Sequence, residues 1–384
     1  MKQIKFALAF ALLLSISCSH GTTKHNLIPI YIEPDKVMEA YDIAGDVETE
    51  WDIVPLETTD DCLISQISRV IFQNEMYYIL DNTSMIYLFN SSGKYLRKLD
   101  RKGQGPGEYL SIFSFDVIGN EVWVSDVNRR RLLIYDSLFN FIGEVNNLNI
   151  AICDMNHAGQ NVYVASNWFE SQPKNCQLAR YSIPNKQITS LLDVGTLEKN
   201  FYAVNKIKQI VKHGDSCLFF QSCCDTLFQI RDNTLIPKYK FSFSERYQDI
   251  PRTMKQIKDD DIDMIRGIQN IEKTRNSIIF NYADRSVIVS AVYSELTGKS
   301  QVYSQFRHSD LGNLLILPPR FTPDGEMICK YEPMMFFEGY KHLLDETKFK
   351  NPADLQKLKT AIATLKEDDN PVLIKFKLKK DSKL

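Results

Sequence analysis

The chain has 384 residues, 44% of them hydrophobic and 11% aromatic, which is enough to fill a folded core and excludes a disordered chain. Its 46 basic and 48 acidic residues leave a net charge of -2, so it lacks the basic excess typical of nucleic-acid binding. We therefore expect no nucleic-acid partner.

The N-terminus has the pattern of a secretory signal. Two lysines precede an apolar run from Phe6 to Ile16, which is typical of a signal peptide and too short to span a bilayer as a helix. The run ends at Ser15-Ile16-Ser17-Cys18, which resembles the lipobox of bacterial lipoproteins, where cleavage precedes a cysteine that is then acylated. We expect residues 1–17 to be removed and Cys18 to attach the chain to a membrane. An ordinary signal peptide cut nearby is the alternative.

The next segment has no repeat. Residues 18–50 are interpreted as a lipid-anchored tether and entry segment, and residues 51–384 as one folded domain. At the start of that domain, Ile53–Leu56 is predicted to be a strand with no hairpin partner nearby in sequence.

The segment Ser68–Tyr109 contains four short predicted strands separated by turn residues. They are Arg69–Phe72, Met76–Leu80, Met85–Asn90 and Tyr95–Leu99, and a glycine-rich loop, Gly103–Tyr109, follows them. The pattern then starts again, because Leu132–Asp136 repeats Ile86–Asn90 at an offset of about 46 residues. A repeated four-stranded unit is typical of a β-propeller blade.

Later units follow the same pattern less clearly, and the sixth is split. Its strand-like segments, Met327–Tyr331 and Val372–Leu378, are separated by helical sequence in which Asn351 is the expected N-cap and Pro352 the first helical residue. The isolated strand at Ile53–Leu56 can complete this blade and leave no free sheet edge. We predict an all-β fold: a six-bladed β-propeller of four-stranded antiparallel blades, with a small C-terminal helical insertion in the last blade.

Several motifs support a family resemblance. The segment Asn120–Asp136 resembles NHL-type and TolB-like blades. Four features together are similar to a family of uncharacterised six-bladed lipoproteins from Gram-negative envelopes: Val54–Thr58, Gly103–Tyr109, Asp225–Leu227 with Pro237–Tyr239, and Asn370–Leu373. The resemblance implies a propeller, a lipid anchor and a place in the cell envelope, on the inner or outer membrane. It implies no reaction, and therefore no catalytic residues.

Strand parity predicts one binding face, because the loops after second strands and the loops between blades share one side of a propeller. We expect this face to bind a polar envelope ligand, such as an acidic glycan or a peptide, or a protein partner. Its candidate residues are Arg101, Lys102, Glu108, Tyr109, Arg129, Arg130 and Trp168. The alternatives are that the arginines form a solvated surface and that Trp168 covers its own blade.

The sequence therefore favours a binding module over an enzyme. Catalytic motifs such as HExxH and GxSxG are absent, and seven scattered cysteines besides Cys18 indicate neither a disulfide framework nor a zinc site. We expect no cofactor. Recurrent aspartates at one blade position, Asp81, Asp126, Asp225 and Asp284, most simply cap turns. They leave open an alternative, a calcium-dependent hydrolase or lyase with its site in the central channel. Structural assembly in an envelope complex is a third class.

Overall fold

The computed structural model describes residues 27–166, 168–169, 176–193, 201–202, 208–220, 225–231, 233–243, 265–284, 287–317, 319–322, 325–337 and 340–384. Six antiparallel blades of four strands each form a propeller ring, as the repeats predict. Three N-terminal strands precede the first complete blade: β1 (Ile28–Ile32), β2 (Val37–Asp42) and β3 (Val47–Pro55).

Blades 1 to 3 follow one another along the chain, each ordered from the innermost strand outward. Blade 1 contains β4 (Ile67–Gln73), β5 (Met76–Asp81), β6 (Ile86–Asn90) and β7 (Tyr95–Leu99). Blade 2 contains β8 (Ile112–Ile118), β9 (Glu121–Asp126), β10 (Arg131–Asp136) and β11 (Phe141–Val145). Blade 3 contains β12 (Asp154–Ala158), β13 (Asn161–Ala165), β15 (Cys176–Ser182) and β16 (Gln187–Asp193). A separate two-stranded ribbon is formed by β14 (Trp168–Phe169) and β17 (Phe201–Tyr202).

Blades 4 to 6 complete the ring, and each includes one N-terminal strand. Blade 4 contains β18 (Ile210–His213), β19 (Ser216–Phe220), β20 (Thr226–Arg231) and β21 (Thr234–Phe243), with β1 outermost. Blade 5 contains β22 (Ile265–Lys273), β23 (Ser277–Asp284), β24 (Val287–Ser294) and β25 (Lys299–His308), with β2 and the short β26 (Leu314–Ile316) both paired to β25. Blade 6 contains β27 (Arg320–Phe321), β28 (Glu326–Tyr331), β29 (Val372–Leu378) and β3.

The ring closes in blade 6, where an N-terminal and a C-terminal strand pair. Strand β3 is antiparallel to β29, with Pro55 opposite Val372 and Ile53 opposite Ile374. This confirms the predicted closure, in which the isolated strand completes the last blade.

The two preceding strands differ from the sequence interpretation, which assigned residues 28–42 to the tether and entry segment. Strand β1 lies parallel to β21, and β2 lies parallel to β25, each on the outer edge of its blade. Parallel pairing to strands far along the chain leaves no hairpin turn in the sequence, so the local pattern does not reveal it.

The helical insertion lies between β28 and β29, as predicted. It consists of α1 (Met334–Phe337), α2 (Tyr340–Leu343), a 3₁₀ turn (Glu346–Lys348) and α3 (Pro352–Ile362). The side chain of Asn351 accepts a hydrogen bond from the amide of Ala353 and so caps α3. Leu358 is buried against the core beneath α3. Within the described ranges, no helix is long and apolar enough to cross a membrane.

Candidate functional site

The inner strands of all six blades line a central chamber of about 690 Å³. One side of the ring, which we call the turn face, carries the turns between first and second strands and between third and fourth strands. The opposite side, the loop face, carries the remaining connections. Turn-face residues such as Gly214 and Gly325, and Lys380 in the segment after β29, also line the chamber, so it extends to the turn face.

A buried carboxylate at one level of the chamber joins four blades. The Oδ1 atom of Asp154 lies 2.8 Å from Nη1 of Arg69 and accepts a hydrogen bond from the Ser114 hydroxyl. Its Oδ2 atom accepts hydrogen bonds of 2.8 Å from the amides of Gln209 and Ile210. Because these partners come from blades 1, 2 and 4, the carboxylate of blade 3 holds the inner strands in register.

A second group in the chamber combines a carboxylate, an imidazole and an ammonium. Oδ2 of Asp116 lies 2.7 Å from Nδ1 of His157, and the Lys212 ammonium lies 3.4 Å from Nε2 of the same ring. The carboxylate favours the tautomer that carries its proton on Nδ1. The Lys212 ammonium therefore contacts the second nitrogen of the ring rather than a carboxylate.

A third group contains one acid between two bases. Glu272 lies 2.7 Å from the Lys208 ammonium and 3.2 Å from the Arg320 guanidinium. The single negative charge of Glu272 can balance only one of the two positive charges of Lys208 and Arg320, so one positive charge remains in the chamber.

The described lining of the chamber is strongly basic, although the whole chain has a net charge of -2. It contains three acidic residues, the carboxylates of Asp116, Asp154 and Glu272. It contains nine basic residues: Arg69, Lys208, Lys212, Lys273, Arg275 and Arg320, with Lys377, Lys379 and Lys380 from the C-terminal segment. One of the nine, Lys273, is neutralised from outside the chamber by Glu295 at 2.7 Å. Arg275, Lys377 and Lys380 are exposed, whereas the other six are half-buried or buried. Such a concave basic surface attracts anions.

His213 also lines the chamber, and its pKa is affected by burial and by nearby basic groups. Burial first, and then the nearby ammonium groups of Lys273 and Lys238, lower the pKa of His213 from 6.5 to about 4. As pH falls below 6.5, the unfolded chain binds a proton at this residue while the folded chain does not, so folding stability is lost until pH reaches about 4.

We therefore expect acid to destabilise the wild type more than the His213→Gln variant, by about 1–3 kcal/mol between pH 7 and pH 4.5. Urea denaturation at the two pH values measures the difference. The exposed His342→Gln variant is the control and should behave like the wild type. Equal acid sensitivity in the wild type and His213→Gln would contradict this account.

The predicted binding face is the loop face, and the structure brings several of its residues together. Arg101 and Lys102 are exposed. Arg129 donates from Nη1 to the Gln104 carbonyl of the glycine-rich loop at 3.1 Å. The Glu108 carboxylate accepts a hydrogen bond of 2.7 Å from the Gly105 amide, so it shapes that loop.

Other predicted residues are less accessible or lie outside the described residues. Tyr109 is completely buried, and its hydroxyl donates to the Leu99 carbonyl, which makes it a core residue. Arg130 is half-buried, with a positive φ of 51°. The backbone of Trp168 lies in β14, but its side chain lies outside the described residues, as does Cys18. That the loop face binds a ligand therefore stays a prediction. Tyr109 cannot contact such a ligand, because its side chain is buried.

The recurrent aspartates take part in local contacts. The Asp81 carboxylate accepts hydrogen bonds from the amides of Thr83 and Met85, which confirms its expected capping role. Asp126 lies 3.3 Å from the Arg131 guanidinium.

Within the described part of the chain, no three His, Cys, Asp or Glu side chains converge in a way that could hold a metal ion.

Sequence reasoning missed the chamber residues because they form no compact motif. Several of them lie in the first strands of different units, as Arg69, Asp116, Asp154 and Lys212 do. The available signal was a charged residue among apolar neighbours in the first strands of three units, β4, β8 and β18. Ring closure is what brings these charges together.

The comparisons with known proteins place the chain in a family. The model of a family described as a domain of unknown function, DUF4934, matches residues 43–377. The chain belongs to this family. Comparison with curated proteins finds no match.

The chain is also similar to solved structures at low sequence identity. A presumed exported protein from Bacteroides fragilis is 20% identical, with a TM-score of 0.68, and the match covers 92% of this chain and 100% of that one. A DUF4221 family member from Bacteroides vulgatus is 11% identical, with a TM-score of 0.47 and coverage of 87% and 97%. The first likeness shows the propeller fold alone.

Proposed function

We propose that the protein is an exported, lipid-anchored propeller that binds a small ligand in its central chamber. The observation that carries the proposal is the chamber itself, at about 690 Å³, with polar groups from several blades converging on it. Ligand sites of small molecules are concave, of roughly 300–1,000 Å³, and combine apolar walls with a few placed polar groups. The chamber has both, because Phe72, Phe113 and Phe321 line it beside the charged residues.

Export is supported by two independent observations. The N-terminal apolar run ending at Cys18 has the form of a lipoprotein signal. The Bacteroides fragilis protein with the same fold is itself described as exported. The predicted location is therefore the cell envelope, with the chain attached to a membrane through a lipid on Cys18.

The anchor has a direct test. Cys18→Ala removes the thiol that would be acylated, so we expect the variant to move from the membrane fraction to the soluble fraction. Labelled palmitate incorporation and cell fractionation measure this. Thr23→Ala, in the same segment, is the matched control and should stay in the membrane fraction. Lipid incorporation into Cys18→Ala would refute the assignment.

The ligand site is tested by a screen that does not assume the ligand. Purified protein is incubated with an envelope extract, and bound compounds are identified by native mass spectrometry. Asn156 lines the chamber and is half-buried, so Asn156→Trp should fill part of it and abolish binding.

A second variant tests the loop face. If the Arg129→Ala, Arg130→Ala double variant loses the ligand while Asn156→Trp keeps it, the site is on the loop face and the proposal is wrong. Recovery of no ligand by the wild type would also contradict it.

A further inference from the structure

The basic residues of the chamber are not matched by acids. Among the described residues that line the chamber, the half-buried Lys212 takes part in no ion pair, and neither do Arg275 and Lys377, which are exposed. Arg320 shares the single carboxylate of Glu272 with Lys208. Charges such as those of Lys212 and Arg320, which are partly enclosed between apolar walls, act more strongly than the same charges on an open surface.

Two of these groups can act as donors to a ligand without breaking a strong contact. Among the described residues, the Lys212 ammonium is held by a 3.4 Å contact to the His157 ring alone, which leaves further N–H donors available. Only Nη1 of the Arg320 guanidinium contacts Glu272, at 3.2 Å, and an arginine has five N–H donors in a planar fork.

The apolar part of the lining limits the ligand further. Three phenylalanines, Phe72, Phe113 and Phe321, line the chamber together with Val211 and Ile328. A bare inorganic ion would leave these walls unused, whereas an organic molecule can cover them with its carbon skeleton.

We infer that the ligand of the chamber is an organic oxyanion, whose carboxylate, phosphate or sulfate group is bound by Lys212 and Arg320. The inference rests on the proposed function, because it names the chemical class of the ligand for the same chamber. Hydrogen bonds from a charged donor to a charged acceptor are roughly twice as strong as neutral ones, so the anionic group supplies most of the selectivity. The same excess of positive charge disfavours a metal cation.

Isothermal titration calorimetry with matched pairs of compounds tests the inference. D-glucuronate is compared with D-glucose, and glucose 6-phosphate with the same neutral sugar, at low and at high salt. We expect each anion to bind at least about tenfold more tightly than glucose, and to lose affinity at high salt. The relative affinities of the two anions distinguish a carboxylate ligand from a phosphate ligand.

Charge-neutral variants locate the anionic group. Lys212→Gln and Arg320→Gln should each weaken binding of the tighter anion about tenfold. Lys350→Gln, at an exposed ion pair with Asp310, is the matched control and should bind like the wild type. Glu272→Gln removes the acid that competes for Arg320, so it should strengthen binding, a gain that general damage to the fold would not produce.

Each remaining outcome overturns the inference. Equal binding of glucuronate, glucose 6-phosphate and glucose, or anion binding that survives both variants, excludes the anionic class. Absence of binding by all the anions excludes it too. The proposed function survives either result if the envelope screen still yields a ligand that Asn156→Trp cannot bind.

Discussion

Deletion of residues 370–384 will abolish cooperative unfolding, because it removes a strand from the interior of the sixth blade. Strand β29 pairs with β28 on one side and with β3 on the other. Four of its side chains, Val372, Leu373, Ile374 and Phe376, are at most 1% exposed. Each buried side chain of this kind contributes roughly 1.5–3 kcal/mol, which together exceeds half of a typical folding free energy.

Circular dichroism during thermal or urea unfolding measures the effect. The deleted chain should lose its signal gradually, or aggregate, whereas the wild type should unfold in a single transition. Lys377→Ala, an exposed position in the same strand, is the control and should unfold like the wild type. A deleted chain that melts like the wild type would show that the ring does not close through this strand.

The Asp154→Ala substitution should destabilise the protein by about 3–5 kcal/mol, the range expected when one partner of a buried ion pair is removed. The carboxylate is 4% exposed and binds Arg69 at 2.8 Å. Its loss would also leave the amides of Gln209 and Ile210 without their side-chain acceptor. Because Asp154 connects four blades, the substitution should lower the free energy of global unfolding rather than loosen a single loop.

Urea denaturation of the variant measures that cost. Asp310→Ala is the matched control, since it removes an exposed ion pair with Lys350 and should change stability by at most about 1 kcal/mol. If both variants lose the same small amount, the Asp154 contacts do not hold the inner strands together.

Local sequence signals predicted the blades well. In the first blade, the predicted strand Tyr95–Leu99 matches the observed one, and Met76–Leu80 ends one residue early. Turn chemistry explains this accuracy, since Asp81 and Asn90 accept hydrogen bonds from the amides of the turns that follow them. The helix start at Asn351 was predictable for the same reason.

Long-range pairing could not be predicted in the same way. Strand β1 pairs with β21 in parallel, without a turn between them, so no local residue marks the contact. The chamber depends on such distant contacts as well. Arg69 and Asp154 are 85 positions apart in the chain, and nothing near either residue indicates that they meet.

Tyr109 shows the limit of assigning a face by strand parity. Parity correctly places the glycine-rich loop beside Arg129, since the guanidinium contacts Gln104 of that loop. It gives no information on burial, however, and the tyrosine ring lies inside the core with its hydroxyl bound to Leu99. A loop residue can therefore lie on the predicted side without being accessible.

The most direct test of the account is to locate a bound oxyanion in a crystal. Selenate is a tetrahedral oxyanion whose selenium scatters anomalously, so a crystal grown with it shows where the anion binds. We expect the anomalous peak in the central chamber, within hydrogen-bonding distance of Lys212 or Arg320. The assignment of the ligand site to the central chamber would be contradicted by anomalous peaks that lie only on the loop face, beside Arg101 or Arg129.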